Sequence, residues 1–505
     1  MNGFIRRDLS GQEVFRFYLL AVSLFVFPIV QVDYLFFDDN FRSLLEGDEL
    51  WRDAGRVVVQ LFYNALSFSS VTPNVFPLAH FIAIPVVASA LQVITQYYFA
   101  PCKLADCLVV LPLFFSPTIL GILIYQYDGP AVMLGMATVL YAHAYRSEWR
   151  GHAWLGPAVL IAVSLSFYQV LLNVLLGLYC VEVTVNIARG SSFGGVARLL
   201  ARRVIHVVLG GLIYGLTALQ FLNTWRSPLL PLDTHWPTVI WARFSQAVES
   251  LLLFVNSGNR WLVIVFSTCA LLGYLKGATE VYKRGESAIE TGALLGLYVM
   301  IVPVMAGLVV GCVPLFWVYE PSARVLLGLA PVIFFVFFFS HRFLSALSKK
   351  AAWLLAIPLF CMLSFSFMYG RILMTQKELE SSILYSLAYD IHSRLELRSV
   401  GVIYLVDADT SPVRRPASLP VAVKNPALNY VGGGWHPEGE HYLVMPSQFP
   451  YVGITNVIGM SSSDFEKIID KQRLVNHGLY DIYLSGRNAY IQMKKMNTFS
   501  EPEPR

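Results

Sequence analysis

The chain has 505 residues, of which 56% are hydrophobic and only 14% are charged. So much apolar surface exceeds what a water-soluble core can bury, which excludes an ordinary soluble protein. The formal net charge is only +4, and the Lys and Arg residues are scattered among the connections, which argues against a nucleic-acid partner. We therefore expect an integral membrane protein in contact with the lipid bilayer.

In chain order, the apolar runs predict about eleven membrane-spanning helices, since crossing a bilayer takes about 20 apolar residues. The run 153–187 is too long for one helix, and we split it into two helices at Phe167-Tyr168-Gln169. The predicted spans are 17–37, 75–99, 104–124, 130–145, the two halves of 153–187, 204–223, 261–275, 291–312, 322–340 and 351–369.

The charges of the connections predict which side of the membrane each one faces. With the split, all the basic connections share the side of the N-terminus, which the positive-inside rule assigns to the cytoplasm. Their residues are Arg146, Arg150, Arg189, Arg198, Arg202, Arg203, Lys276, Lys283, Arg284, Arg342, Lys349 and Lys350. An odd number of spans then leaves the C-terminal tail outside.

The composition changes near Gly370, where we place a domain boundary. Residues 1–369 would form the membrane domain, with a first outer loop at 38–74, and residues 370–505 a soluble domain. Leucines and isoleucines from Leu379 to Leu395 recur at helical spacing, which predicts that the soluble domain opens with a helix. Strand-like runs follow at Gly401–Asp407, Tyr480–Leu484 and Asn488–Met493, which together predict a small α/β domain.

The first outer loop carries the densest cluster of charge before the tail. Asp38 and Asp39 come at the end of the first predicted span, where a carboxylate can stay ionised beside a lipid-borne substrate. Such a pair suits proton abstraction from a sugar hydroxyl. Arg42 would lie one turn after Asp38 if the segment is helical. The alternative is a solvated loop whose acids only keep it outside.

Two further charges lie at a similar depth. Asp128 is at an outer turn just before Pro130, where it either contacts substrate or caps the next helix. Arg324 is at the outer mouth of its span, where its guanidinium either binds a lipid phosphate or extends to the headgroups. Glu320 is a candidate ion-pair partner for Arg324.

We expect no metal site at the cysteines or histidines and no disulfide framework. All six cysteines lie in or beside apolar runs, and Cys102 and Cys107 have no histidine near them in the sequence. His80 and His143 lie within predicted spans without acidic neighbours at helical spacing, which favours packing roles over metal binding.

Several stretches, taken in order, resemble a known family. Phe37-Asp38-Asp39, Arg42-Ser43, Trp51 and Gly55-Arg56 resemble the start of the serotype-converting glucosyltransferases. These bacterial and phage-encoded enzymes decorate lipopolysaccharide O-antigen and belong to the GT-C class of membrane glycosyltransferases. Three further stretches are similar: Tyr125-Gln126-Tyr127-Asp128, Tyr168-Gln169 with Asn173, and Pro321–Gly328. The resemblance covers roughly residues 30–370 and matches the tail only loosely.

The resemblance implies a polytopic α-helical, GT-C-like fold in the bacterial inner membrane with a periplasmic C-terminal domain. It implies transfer of glucose from undecaprenyl phosphate to O-antigen polysaccharide on the periplasmic face, with a flippase and a synthase supplying the donor lipid. Asp38 or Asp39 would be the catalytic base. The implied substrate-binding residues are Arg42, Arg56, Asp128, Tyr168, Gln169, Glu320 and Arg324. No cofactor is implied, while a divalent metal and the stereochemical outcome are left open.

Two other classes of protein remain as alternatives. A transporter or flippase of a lipid-linked glycan would also be polytopic, but it should show internal repeats and polar residues deep within several spans. An adhesive or scaffolding membrane protein would explain the tail, yet it would not explain carboxylates and arginines clustered at the outer boundary.

Overall fold

The computed structural model describes residues 7–42, 49–223, 228–285, 287–319, 321–406, 417, 419–432 and 444–494. The chain forms two compact units, Met1–Asp33 with Leu45–Phe367 and Tyr34–Leu44 with Met368–Arg505. The composition predicts that the whole first outer loop belongs to the membrane domain, whereas in the structure residues 34–44 belong to the second unit.

The first unit is helical. Its longer helices, numbered in chain order, are Gly11–Val32 (α1), Val57–Ser67 (α2), Leu78–Tyr98 (α3), Asp128–Ala144 (α4), Arg150–Phe167 (α5), Leu171–Arg189 (α6), Phe193–Leu216 (α7), Trp236–Leu252 (α8), Arg260–Arg284 (α9), Ala288–Leu308 (α10), Leu329–Leu347 (α11) and the start of Ala356–Ser393 (α12). Shorter helices are Glu49–Arg52, Leu104–Val110, Pro112–Phe115 and Leu120–Leu123.

Among the described residues, nine helical segments are long and apolar enough to cross a membrane. They are α1, α3, α6, α7, α9, α10, α11, the segmented run Leu104–Leu123, and Ala351–Ser393, which includes α12. The other two predicted spans correspond to α4 and α5, which are helical but only 17 and 18 residues long. The protein is therefore mostly helical with several candidate spans, and the count of about eleven stays a prediction.

The division of the run 153–187 into two helices is confirmed. Helix α5 ends at Phe167 and α6 begins at Leu171, with Tyr168 and Gln169 between them. Helix α6 ends at Arg189, where Gly190 adopts the left-handed conformation with φ of 95°, a conformation that glycine accepts without steric cost.

The first span is shorter than the predicted 17–37 at its C-terminal end. Ser10 caps α1 through a reciprocal pair of hydrogen bonds with Glu13. The helix ends at Val32 because Asp33 turns the backbone into the left-handed region with φ of 48°. The aromatic run Tyr34–Phe37 had extended the apolar pattern beyond the helix. Asp38 and Asp39 therefore do not directly follow the first span.

The predicted span 322–340 also begins too early. Helix α11 starts at Leu329, and Ala323–Val325 forms a separate 3-10 turn. Pro331 explains the difference, because in a longer helix its ring would collide with the carbonyl of residue 327, whereas a proline is tolerated in a first turn. Arg324 thus lies in a connection, ahead of the helix.

The helices of the first unit meet through polar contacts at two opposite ends. We name them the Asp128 end and the Arg203 end. At the Asp128 end, the C-termini of α1, α5 and α7 lie near the N-terminus of α4. The contacts there are the pairs Asp33–Gln126, Arg56–Tyr168, Trp51–Asp128 and Gln169–Tyr214. The Arg203 end gathers the C-termini of α3 and α4 with α6 and α7, through the pairs Tyr98–His143 and Glu182–Arg203.

Helix packing in this unit depends on one very close approach. A Cβ atom added to Gly273 of α9 would lie 2.1 Å from the carbonyl oxygen of Phe339 on α11. The neighbouring Ser340 hydroxyl donates to the carbonyl of Phe266 at 2.9 Å. Only glycine at this position lets α9 and α11 pack so tightly.

The second unit contains a five-stranded mixed sheet. Its strands are Val402–Val406 (β1), Val457–Met460 (β2), Gln472–Asn476 (β3), Tyr480–Ser485 (β4) and Asn488–Met493 (β5). The order is β2-β1-β5-β4-β3, with β1 parallel to both β2 and β5 and with β4 antiparallel to both β5 and β3. The three predicted strands are confirmed as β1, β4 and β5, while β2 and β3 were not predicted.

One face of this sheet packs on helix α12. Ile403 of β1, Ile482 of β4 and Ile491 of β5 share a buried core with Ile383 and Leu387 of that helix. The helix predicted at the start of the tail is thus confirmed, although it is continuous with the preceding span. The remaining short helices of this unit are Asp39–Arg42, Leu395–Arg398, Leu419–Lys424, Pro426–Val431 and Ser462–Glu466.

Candidate functional site

The segment Tyr125–Asp128 is the centre of the Asp128 end. Each of its side chains contacts a residue that is distant in sequence. The four pairs are Arg324 Nη1 to Tyr125 Oη at 2.9 Å, Gln126 Nε2 to Asp33 Oδ1 at 2.9 Å, Tyr127 Oη to the carbonyl of Thr72 at 3.0 Å, and Trp51 Nε1 to Asp128 Oδ1 at 2.8 Å. A single short connection therefore joins several helix ends of the unit.

Asp128 does not cap helix α4, contrary to one of the two interpretations of the sequence. The N-cap is Tyr127, and Asp128 is the first helical residue. The positive end of the helix dipole stabilises its negative charge there. Its carboxylate is buried and accepts the indole N–H of Trp51. Arg56 lies beside it, with Nη1 3.7 Å from Oδ2. The carboxylate thus joins two parts of the first outer loop to the start of α4.

Arg56 lies between an acid and an aromatic ring. Its guanidinium carbon is 4.6 Å from the centroid of the Tyr168 ring, within the range of a cation–π interaction. Gly55 precedes it with φ of 67°, and a Cβ atom there would come within 2.6 Å of the Tyr214 hydroxyl. Gln169 completes the neighbourhood by donating to the Ala54 carbonyl at 2.9 Å. The loop therefore needs glycine at position 55 to hold Arg56 in place.

Three aromatic rings, those of Trp51, Tyr63 and Tyr127, pack against one another at the Asp128 end. Trp51 stacks on Tyr63 with centroids 5.3 Å apart, and Tyr63 meets Tyr127 edge-on at 5.1 Å. The Tyr63 hydroxyl donates to the carbonyl of Tyr127 at 2.6 Å. This buried cluster fixes the first outer loop against the start of α4.

Arg324 belongs to the same end of the unit. Besides its bond to Tyr125, its backbone carbonyl accepts from the Tyr168 hydroxyl at 3.5 Å. The Ala323 backbone beside it packs closely on Gly121, where an added Cβ would lie 3.2 Å from the Arg324 nitrogen. Glu320, its predicted ion-pair partner, lies outside the described residues.

The structure thus brings together five of the site residues predicted from sequence. They are Arg56, Asp128, Tyr168, Gln169 and Arg324, all in the first unit. Asp38, Asp39 and Arg42 belong to the second unit.

Within the second unit, residues Asp39–Arg42 form a short helix, which is the condition under which Arg42 would lie one turn after Asp38. Arg42 Nη2 pairs with Asp38 Oδ2 at 3.0 Å across one turn. Asp39 is buried, and its carboxylate accepts the backbone N–H of Phe36 at 3.2 Å. Tyr34 anchors this segment by donating to the carboxylate of Glu380 at 2.9 Å. Both aspartates therefore have structural partners.

Asp33 is a candidate that the sequence analysis missed. It was placed inside the first span, because the aromatic residues after it concealed the end of the helix. The structure places it, exposed, at the C-terminus of α1, and Gln126 donates to its Oδ1 at 2.9 Å. Asp33 thus shares its unit with Arg56 and Arg324.

Arg243 of α8 was also missed. Its guanidinium donates to the carbonyls of Pro314 and Phe316, both at 2.6 Å, and to that of Trp317 at 3.0 Å. These bonds hold the connection that precedes Arg324. A lone arginine in a long outer loop gives no sequence signal for such a role.

Chemically, the Asp128 end offers two carboxylates, two guanidiniums and several tyrosine hydroxyls beside apolar helices. Guanidiniums suit a phosphate oxyanion, and a carboxylate suits proton abstraction from a hydroxyl. Among the described ranges, no group of three or more His, Cys, Asp or Glu residues is placed to hold a metal ion. Cys102 and Cys107 lie with their sulfurs 3.8 Å apart.

Comparison with known proteins gives no relative. A scan against protein-family models finds no match. A search of curated proteins and a search of solved structures find no significant match either. Support for a function therefore comes from the geometry of the Asp128 end and from the resemblance of the motifs that form it.

Proposed function

We propose that the chain is a GT-C-like membrane glycosyltransferase that moves a sugar from a polyprenyl phosphate to O-antigen polysaccharide. The observation that carries the proposal is the Asp128 end, where Arg324, Asp33 and Arg56 each contact a residue of the segment Tyr125–Asp128. In the donor class implied by the resemblance, undecaprenyl phosphate glucose, the lipid tail lies in the bilayer and the sugar phosphate at its surface. A site with cations and carboxylates at a helix-bundle end fits such a molecule.

The reaction needs two kinds of group. A base takes the proton of the acceptor hydroxyl, the hydroxyl oxygen bonds to the anomeric carbon, and the bond from that carbon to the phosphate oxygen breaks with its electron pair leaving on the phosphate. We assign phosphate stabilisation to Arg324 and Arg56. We assign the role of base to Asp33 in the first unit. Asp38 and Asp39, the bases implied by the resemblance, are the alternatives to it.

One observation favours the transporter alternative. Arg203 lies within α7 and not in a connection as predicted, and it forms an ion pair with Glu182 of α6. Both side chains are 2% exposed, and charged groups buried among apolar helices are common in transport pathways. The pair is bidentate, with Arg203 Nε and Nη2 donating at 2.8 and 2.7 Å. Because each charge satisfies the other, a structural role explains the pair equally well.

We further propose a location in the bacterial inner membrane with the Asp128 end on the periplasmic side. The basic residues of the predicted cytoplasmic connections support this orientation. The test is the sugar composition of lipopolysaccharide from O-antigen-bearing cells with and without the gene. A new side-branch hexose in the expressing cells is expected, and an unchanged composition despite normal protein levels would overturn the proposal.

A further inference from the structure

We infer that Gln126 and Asn74 are positioning residues that hold the carboxylate of Asp33 in one orientation for proton transfer. The inference rests on the proposed function and on the assignment of Asp33 as its base. The resemblance to a family assigns a role to neither amide.

A directional chain of hydrogen bonds leads to Asp33. The backbone N–H of Phe76 donates to Asn74 Oδ1 at 2.9 Å. Asn74 Nδ2 donates to Gln126 Oε1 at 2.5 Å, and Gln126 Nε2 donates to Asp33 Oδ1 at 2.9 Å. A backbone N–H can only donate, so it fixes which way the Asn74 amide faces. That orientation in turn fixes Gln126, whose nitrogen must face Asp33.

Gln126 is the buried member of this series of hydrogen bonds. It is 4% exposed, so its amide is held by the surrounding protein, while Asn74 and Asp33 are both exposed. An exposed aspartate with no fixed donor samples several side-chain rotamers, and only some of them point a lone pair at an acceptor hydroxyl. A donor on a rigid neighbour selects one orientation, and loss of such orientation lowers the rate of the chemical step.

Two substitutions of Gln126 separate positioning from simple packing. Gln126→Met fills a similar volume without hydrogen bonds. Gln126→Glu keeps an acceptor for Asn74 but cannot donate to Asp33, and it brings a second negative charge next to the base. A buried carboxylate also destabilises the fold, so Gln126→Met, which adds no charge, carries the distinction. If Gln126 only supported the fold, folded Gln126→Met should keep the parental kcat. Positioning predicts a lower kcat per folded molecule.

The measurement is steady-state transfer by the full-length purified chain, with undecaprenyl phosphate glucose as donor and O-antigen lipopolysaccharide as acceptor. We expect kcat to fall about 10-fold to 100-fold for Gln126→Met and further for Gln126→Glu, with the KM for the donor within about twofold of the parent value. Asn74→Ala should lower kcat in the same direction. The matched control is Gln60→Met, since Gln60 is also buried but its amide donates to Asn64. Its kinetics should be unchanged.

The outcomes separate this inference from the proposed function. A parent chain that transfers no sugar would overturn the proposed function and the inference together. A parent that transfers sugar, combined with a parental kcat for folded Gln126→Met, would overturn the inference alone. A rise in the donor KM without a fall in kcat would also overturn it, because Gln126 would then act in binding.

Discussion

The guanidinium of Arg324 donates a hydrogen bond of 2.9 Å to the hydroxyl of Tyr125, a residue 199 positions earlier in the chain. The bond places a cation from the connection before α11 against the segment that starts α4. In the proposed reaction this cation stabilises the phosphate that leaves the sugar. Substitution of Arg324 therefore tests the proposed mechanism.

We predict that Arg324→Ala lowers kcat/KM for the polyprenyl-phosphate donor about 10-fold to 100-fold, because a charge-assisted hydrogen bond to an oxyanion is lost. Arg324→Lys should lose less, since it keeps the charge without the bidentate fork. The matched control is Arg260→Ala, which removes an exposed arginine at the start of α9. Parental activity of Arg324→Ala at parental protein levels would make Arg324 a simple anchor at the headgroups.

The second prediction concerns the hydrogen bond from Trp51 to Asp128. Trp51→Phe keeps a ring for the aromatic cluster but removes the indole donor from a buried carboxylate. The expected cost is about 1–3 kcal/mol, measured as a lower midpoint of thermal unfolding of the purified protein in detergent. Trp241→Phe, at a tryptophan that is 74% exposed, should leave the midpoint unchanged. Equal midpoints for both variants would contradict a structural role for the bond.

The third prediction ranks three carboxylates. Asp33→Asn keeps the shape of the side chain but cannot accept a proton, so it should lose about 10²–10⁴-fold in activity. Asp38→Asn and Asp39→Asn should lose less, because Asp38 pairs with Arg42 and Asp39 accepts a backbone N–H. Protein levels in the membrane must be measured for each variant. If Asp33→Asn keeps parental activity and one of the other two is inactive, the base is the one that the resemblance implies.

The sequence alone predicts the helical architecture for two reasons. A helix that crosses the bilayer needs about 20 apolar residues, and the basic connections must all fall on the cytoplasmic side. The split at Tyr168-Gln169 followed from the length of the run 153–187 and from the charges that flank it, and it is confirmed by α5 and α6. Helix ends were predicted less well, because the aromatic residues after Asp33 read as a continuation of the span. Because the predicted span continues past Asp33, the sequence does not reveal Asp33 as a candidate site residue.

The contacts that build the site could not be predicted. Pairs such as Tyr125–Arg324 and Trp51–Asp128 join residues that are far apart in the chain, and no local pattern in a single sequence signals them. The assignment of residues 34–44 to the second unit could not be predicted either, because it depends on contacts between residues far apart in the chain. It is supported by Tyr34–Glu380 and by the bond from Tyr451 to the carbonyl of Asn40 at 3.4 Å.

The fourth prediction concerns sidedness. Alkaline phosphatase fused to the C-terminus of the full chain should be active, and a fluorescent protein at the same position should be dark, because the tail is expected to be periplasmic. A fusion in the connection 190–192, between α6 and α7, should give the opposite pattern. A bright fluorescent fusion at the C-terminus would place the Asp128 end on the wrong side for an O-antigen acceptor.

The fifth prediction concerns the Glu182–Arg203 pair. Arg203→Met leaves a buried carboxylate uncompensated and should destabilise the protein by about 3–5 kcal/mol, while the double variant Glu182→Gln with Arg203→Met should recover much of that loss. Thermal unfolding measures both effects. If the double variant is stable but has lost all sugar transfer, the pair has a role in the reaction beyond folding.

The most direct test of the central claim is sugar transfer by the purified full-length chain in liposomes that contain undecaprenyl phosphate [¹⁴C]glucose, with O-antigen lipopolysaccharide added outside. Parallel reactions with other polyprenyl-phosphate hexoses cover the possibility of a different sugar. We expect label to appear in the polysaccharide with the parent chain and to be almost absent with Asp33→Asn and with Arg324→Ala. Label that crosses the bilayer without joining the polysaccharide, or no transfer from any donor, would contradict the account.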